Sequence, residues 1–385
     1  MKTSGPKRIL MTADTIGGVW GYATELIRAL QPHGFEVLLA TMGQPVSRSQ
    51  QKELSDLSNV ELAESTYKLE WMDDPWSDIE AAGEWLLGLE NYFQPDLIHI
   101  NGYAQGALAW RAPKIVVGHS CVLSWWEGVK GEHPPAEWAR YREAARKGLK
   151  AADAVIAPTA AMLASLQKIY GPLSFTQFIP NGRRIEQFTP GKKENIVLSA
   201  GRLWDEAKNV RAVCASSSGL PWPVFLAGET RHPDGLAAAA EFSNVRCLGQ
   251  LDSREMADWF SRASIYALPA KYEPFGLSVL EAALSGCVLL LGDIPSLREN
   301  WEGAAVFVDP RDCAQVHSVL HELIQDERGR NTLALRARER AQKFKIENTA
   351  ARYLDIYQQL AARCPILDRG ASGKIRTPEE ECLAV

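Results

Sequence analysis

The feature that most limits how this chain can fold is a repeated alternation. Short, continuously apolar, β-rich runs are separated by segments of helical periodicity, and the series occurs twice. In the first half the runs are "RILMTA" (8–13), "FEVLLAT" (35–41), "DLIHIN" (96–101), "KIVVGHS" (114–120) and "AVIAPT" (154–159). In the second they are "NIVLSAG" (195–201), "PVFLAGE" (223–229), "VRCLGQ" (245–250), "SIYALPA" (264–270), "CVLLLGD" (287–293) and "AAVFVDP" (304–310). Strands that are apolar throughout suit burial on both faces, the condition of a parallel sheet covered by helices. Strands joined through helices imply right-handed crossovers and a doubly wound sheet. Two such series predict two Rossmann-like domains, and 385 residues are too many for one ordinary core.

The joint is expected within "FIPNGRRIEQFTPGKKEN" (178–195), where Pro-Asn-Gly, further prolines and charges read as linker. This sets a first domain at 1–188 and a second at 189–346. "NTAARYLDIYQQLAAR" (348–363) is a strong helix pattern, giving a C-terminal helix at 347–364. The polar, turn-rich stretch 365–385 is expected to be disordered.

Bulk properties exclude some functions. The net charge of −5 offers no global basic field for nucleic acid. No apolar run approaches the roughly 18 residues of a membrane span. The start "MKTSGPKRILMTADT" has too short an apolar stretch for a signal peptide. Seven scattered cysteines without CxxC favour reduced thiols in a cytoplasm over disulfides or a zinc site. Eight of the twelve tryptophans precede residue 150, so the first half is the aromatic one.

Open α/β sheets bind ligands beyond the carboxyl ends of their strands, so the residues there are the candidates. After the first strand, "DTIGGVWG" places Gly17 and Gly18 where backbone amides can approach an anion at a helix start. The pattern is not GxGxxG and no acidic residue ends the second strand, which argues against a nicotinamide dinucleotide. A tight turn without ligand is the competing reading. After the first strand of the second series, "AGRLWDEAKN" carries Arg202 and Lys208, a fork and a point charge that suit a diphosphate. Two solvated surface cations are the alternative. "KYEPFGLSVLEAALSG" (271–286) sets Glu273 on a loop and Glu281 in a helix. Between them, free amides of Phe275, Gly276 and Leu277 would form a cradle. A carboxylate suits adjacent sugar hydroxyls, and Glu281 stands in so apolar a helix that it needs a partner or ligand. His119 ends the strand "KIVVGHS" and could donate to a substrate oxygen or move a proton. Trp125 and Trp126 could stack on sugar rings or simply pack. "EWARYREAARKGLK" (137–150) is a basic helix. Its apolar face is modest, so a solvated state is expected over contact with anionic lipid.

Together these residues resemble a retaining glycosyltransferase of family 4, with the GT-B fold. "EPFGLSVLE" resembles the family's E-x7-E signature at Glu273 and Glu281, and "GRLWDEAKN" its G-R-L…K-N loop. "PDLIHIN", "IPNGRRIEQF" and "NVRCLGQLD" resemble other typical stretches. The resemblance implies two Rossmann-like domains facing across a cleft, an acceptor-binding one and a donor-binding one. The C-terminal helix would return to the first. It also implies transfer of a hexose from a UDP- or GDP-sugar, as co-substrate, to a sugar or lipid-linked sugar, with no metal or other cofactor. In that reading Glu281 holds the ribose, and Glu273 with the amides of Phe275 to Leu277 contacts the transferred sugar. Arg202, Lys208, Gly17 and Gly18 meet the diphosphate, and His119 lies by the reacting centre. Another GT-B enzyme such as a nucleotide-sugar epimerase, or a non-catalytic nucleotide-sugar-binding module, is the alternative. One departure is Arg183-Arg184, where relatives have an aliphatic and an acidic residue. These would add positive charge near the cleft, for an acidic acceptor or for no purpose.

Overall fold

The computed structural model describes residues 7–230 and 245–363. Among these, the strands form two parallel sheets. The first contains β1 (Arg8–Asp14), β2 (Glu36–Met42), β3 (Val60–Glu64), β4 (Leu97–Ile100), β5 (Lys114–Val117), β6 (Ala154–Ala157) and β7 (Thr176–Phe178). The second contains β8 (Glu194–Ala200), β9 (Val224–Ala227), β10 (Arg246–Gly249), β11 (Ala263–Leu268), β12 (Val288–Gly292) and β13 (Val306–Val308). Their orders are β3-β2-β1-β4-β5-β6-β7 and β10-β9-β8-β11-β12-β13. Each is doubly wound: winding reverses beside the first strand of the series, between β1 and β4 and between β8 and β11.

Every run read as a strand forms one. β3 and β7 were not anticipated, for a physical reason. β3 is an edge strand whose residues are mostly exposed and which carries two glutamates, so it shows no continuous apolar run. β7, of three residues, lies at the opposite edge. The central strands are apolar because both their faces are covered: Ile9, Leu10 and Met11 of β1 are all fully buried.

The chain passes between the two halves twice, and the crossings lie side by side. The amide of Arg183 donates to the Phe344 carbonyl at 3.0 Å, and that of Ile346 to the Arg183 carbonyl at 3.1 Å. Beyond this bridge the helix Ile346–Arg363 packs on the first domain. Ala350, Tyr353, Ile356, Tyr357 and Leu360 join the core of β1 and the helix Gly18–Leu30. His99 of β4 is clasped by Tyr357 Oη at 2.7 Å and Tyr22 Oη at 3.1 Å.

The basic segment forms the helix Ala139–Ala151. Its apolar side, Tyr141, Ala145 and Leu149, is spent on the domain core. Arg140 pairs with Glu80, and Arg146 with Glu143. Among the described residues, no helix is long and apolar enough to cross a membrane. The expected tail, 365–385, lies outside the described residues.

Candidate active site

Both domains turn the carboxyl ends of their strands toward one cleft of about 870 Å³. Every residue the sequence offers as a ligand contact lines it, from either side, and so does Arg183 of the linker.

The second-domain wall is built on the turns after β8 and β11. Arg202 donates through Nη2 to Asp205 Oδ2 at 2.8 Å, and Asp205 Oδ1 caps the turn by accepting the Ala207 amide at 3.0 Å. Burial pushes the Asp205 carboxyl up, but Arg202, Lys208, the Trp125 indole and the Ala207 amide outweigh it and hold it below the ordinary range. Lys208 Nζ lies 2.5 Å from Glu273 Oε2, and both side chains are largely buried. Glu273 is therefore fixed by a lysine rather than left open. Its Oε1 also accepts the Phe275 amide at 3.4 Å, so the expected cradle of three free amides is reduced. The amides of Gly276 and Leu277 begin the helix Leu277–Leu284, where no preceding turn supplies a carbonyl. Gly276 sits at φ 88°, and a Cβ there would come 2.9 Å from Val279 Cγ2, so glycine is required.

That helix buries Val279, Leu280, Ala282, Ala283 and Leu284 in the second core and turns Ser278 and Glu281 to the cleft. Glu281 Oε1 accepts from Arg183 Nε at 2.7 Å, and Arg183 Nη1 also reaches the Gly21 carbonyl at 3.1 Å. Burial raises the Glu281 carboxyl, and Arg183 opposes the rise. Arg184 grips Glu25 through Nε and Nη2, at 3.1 and 2.9 Å. The two linker arginines, read in the sequence as added charge near the cleft, are thus answered inside the protein.

In the first-domain wall, Gly17 has φ 100°, and its Cβ position lies 3.6 Å from Arg202 Nη1. A Cβ on Gly18 would stand 3.4 Å from Leu277 Cδ1, so the glycine turn faces both the arginine and the helix start across the cleft. Burial lifts the Asp14 carboxyl to about 7, although Arg202 and the Ile16 amide oppose the rise. It lifts Glu70 to about 7 as well, against the amides of Ala104 and Tyr103.

Burial holds His119 down, to about 3, so its ring is neutral. Asn101 donates its amide to the Thr12 carbonyl at 2.6 Å and presents Oδ1 to His119 Nε2 at 2.8 Å. That oxygen accepts a hydrogen bond from Nε2–H, which leaves Nδ1 with a lone pair. In this tautomer Nδ1 can accept from a hydroxyl, which suits a part in proton transfer, one of the two roles the sequence offers for His119.

Trp125 and Trp126 lie on the helix Val122–Lys130, edge to face at 5.8 Å. Trp125 Nε1 crosses the cleft to Asp205 Oδ1 at 3.0 Å. Tyr272 crosses the other way, its hydroxyl taking the Cys121 amide at 3.1 Å and meeting Ser124 Oγ at 2.8 Å.

Sequence reasoning did not single out Asp14, Glu70, Asn101 or Asp205. Asp14 and Asn101 end or follow strands at the switch point, so the rule that selected Gly17 could have found them. Asp205 stands inside the quoted "GRLWDEAKN". Glu70 gives no such signal: it reaches the cleft from a long loop after β3.

Two parallel-sheet domains facing across a cleft define the GT-B architecture. Two family models tile the chain: Glycosyltransferase Family 4 matches residues 16–187 and Glycosyl transferases group 1 matches residues 182–344. The chain belongs to the glycosyltransferases built from this pair of domains. Over 248 residues it is 28% identical to a D-inositol 3-phosphate glycosyltransferase of Xylanimonas cellulosilytica, covering 56% of this chain and 59% of that one. Over 283 residues it is 26% identical to the glycogen synthase of Mycobacterium tuberculosis, covering 66% of each. The matches thus span less than two thirds of either relative. Among solved structures, sucrose-phosphate synthase from Thermosynechococcus elongatus superposes with a TM-score of 0.79 at 20% identity, over 93% of this chain and 100% of that one. Anabaena HepE, in complex with UDP and glucose, gives 0.71 at 16% identity, over 92% and 100%. At these identities the likeness is one of fold.

Proposed function

We propose that this protein transfers a hexose from a nucleoside diphosphate sugar to a saccharide acceptor, with retention of configuration and without a metal ion. One observation carries the reading. Arg202 and Lys208 stand in one wall beside the bare start of the helix Leu277–Leu284, facing an aromatic wall across a single cleft. In this reading the two cations and the Gly17–Gly18 turn receive the diphosphate, as pre-arranged charge for a leaving group that becomes more negative. Each cation already holds a carboxylate, Asp205 or Glu273, which keeps it in place between turnovers. Glu281 takes the ribose hydroxyls and Arg183 fixes its carboxylate. Glu273 and the Gly276 and Leu277 amides meet the transferred sugar.

The acceptor oxygen bonds to the anomeric carbon on the face from which the phosphate departs. The hydroxyl proton passes to a phosphate oxygen, and the products are a glycoside and a nucleoside diphosphate. No protein nucleophile is needed. His119, neutral and held through Nε2, offers Nδ1 as an acceptor beside the reacting centre. HepE, a fold neighbour solved with UDP and glucose, supports a nucleotide-sugar donor. The relatives' names span an inositol phosphate and glycogen, so the acceptor is not carried over from them. Cytoplasmic location is part of the proposal, with buried Cys121 and Cys287 acting as thiols toward Tyr170 and the Phe260 carbonyl.

Calorimetry with UDP and GDP tests the reading. Lys208→Ala and Glu281→Ala should each weaken nucleotide binding about ten-fold or more, the size of a lost charge-assisted contact. Unchanged affinity in both variants would overturn the site. Sugar transfer should persist in excess chelator, and its loss would overturn metal independence.

A further inference from the structure

We infer that the acceptor taken by this cleft is an uncharged saccharide, and that sugars bearing a phosphate are excluded by charge. The inference rests on the transferase reading above, with the first-domain wall beyond the Gly17–Gly18 turn taken for the acceptor. The lining of the cleft is divided by charge. Its cations, Arg202 and Lys208, stand in the second-domain wall, and Arg183 comes from the linker. Among the described residues, no lysine or arginine of the first domain before the linker lines the cleft, whereas Asp14 and Glu70 both do.

The cations that border the wall are committed elsewhere. Arg183 is held by Glu281 at 2.7 Å, and Arg184 by Glu25 at 2.9 Å. Lys130, 5.8 Å from the ring centroids of both Trp125 and Trp126, is held by Glu206 at 2.5 Å. A phosphate placed here would gain no cation, and above about pH 7, where Asp14 and Glu70 ionise, it would meet like charges that cost affinity.

The remaining chemistry suits a neutral sugar. Trp71, Trp125, Trp126 and Trp138 line the same side and offer apolar faces to the C–H faces of a pyranose ring. Glu70 is anchored by the Tyr103 and Ala104 amides at 3.1 and 2.8 Å, so its orientation is fixed. Its remaining lone pairs accept from hydroxyls. Gln44, Asn101 and Ser120 add further hydrogen-bonding groups to the lining.

The test uses the full chain saturated with whichever of UDP or GDP binds, so that phosphates cannot enter through the donor site. Tryptophan fluorescence is followed during titration with methyl α-glucoside, methyl α-mannoside and maltose, then with glucose 6-phosphate and mannose 6-phosphate. At least one neutral saccharide should bind saturably, and the phosphates at least about ten-fold more weakly. Gln44 is exposed, so Gln44→Lys should fold normally. That variant should bind the phosphates more tightly, relative to the neutral sugars, than the unaltered protein does. Equal or tighter binding of the phosphates by the unaltered protein overturns the inference, as does binding of no neutral saccharide. If neither nucleotide binds, the transferase reading falls and the inference with it. If nucleotide binds without discrimination among sugars, the inference alone falls.

Discussion

Ionisable residues of the cleft are held in definite states by neighbours distant in sequence. Glu281 meets Arg183 across 98 residues and Lys208 meets Glu273 across 65. The histidines are held by burial instead. His99, fully buried, is pushed down to about 3 and is neutral between two tyrosine hydroxyls. Its folded pKa lies below the unfolded one, so between about pH 3 and 6.5 the unfolded chain binds the extra proton. Stability from this group is complete above pH 6.5 and is lost as pH falls. His99→Gln, which can still bond both tyrosines, should shrink the stability lost between pH 7.5 and pH 5 by about 2 kcal/mol. Asp14 and Glu70, both raised to about 7, act in the opposite sense from about pH 4 to 7. They are present in both proteins and cancel in the comparison. Urea denaturation at the two pH values checks it, and an unchanged loss in the variant would refute the assignment. None of these states is legible in the sequence, where His99 is one polar residue inside an apolar strand.

At the scale of elements, the sequence was informative wherever a local pattern sets the structure. The central strands were legible because burial on both faces demands an apolar run. β3 escaped because an edge strand needs no such run. The start of the helix Leu277–Leu284 was legible to within two residues, since "EPFGLS" carries a loop proline and a glycine before an apolar helix. What it did not show is that Glu273 takes the Phe275 amide. The positive φ of Gly276 gives a test at this scale. Gly276→Ala should cost about 1–2 kcal/mol for the left-handed backbone alone. The approach to Val279 would shift the turn further and weaken nucleotide binding. Thermal melts and calorimetry measure the two effects. An alanine variant of normal stability and affinity would show that the turn is not constrained.

For the whole molecule, the closing helix makes the first domain depend on the last segment of the described chain. Tyr357 is fully buried among first-domain residues and holds His99. Tyr357→Ala should cost about 3–5 kcal/mol through the cavity it leaves and should leave His99 without one partner. Urea unfolding followed by fluorescence of the tryptophan-rich first half reads this directly, and a loss below about 1 kcal/mol would mean that the helix is only loosely docked. Between the domains, Trp125 meets Asp205, Lys130 meets Glu206 and Ser253 meets Glu53. These contacts are polar and mostly near the surface, individually worth little. They leave room for the opening that a two-sided site requires.

The sequence by itself determined two doubly wound domains and pointed to part of the lining of the cleft between them. Those follow from periodicity, turn chemistry and the geometry of parallel sheets, which act over a few residues. Only the tertiary structure decided which of the cleft's charges are paired. It set Arg183 against Glu281 and Lys208 against Glu273, and it left the first-domain wall aromatic and acidic. A side chain's partner and its dielectric surroundings depend on residues brought close by folding, and the local sequence does not encode that proximity.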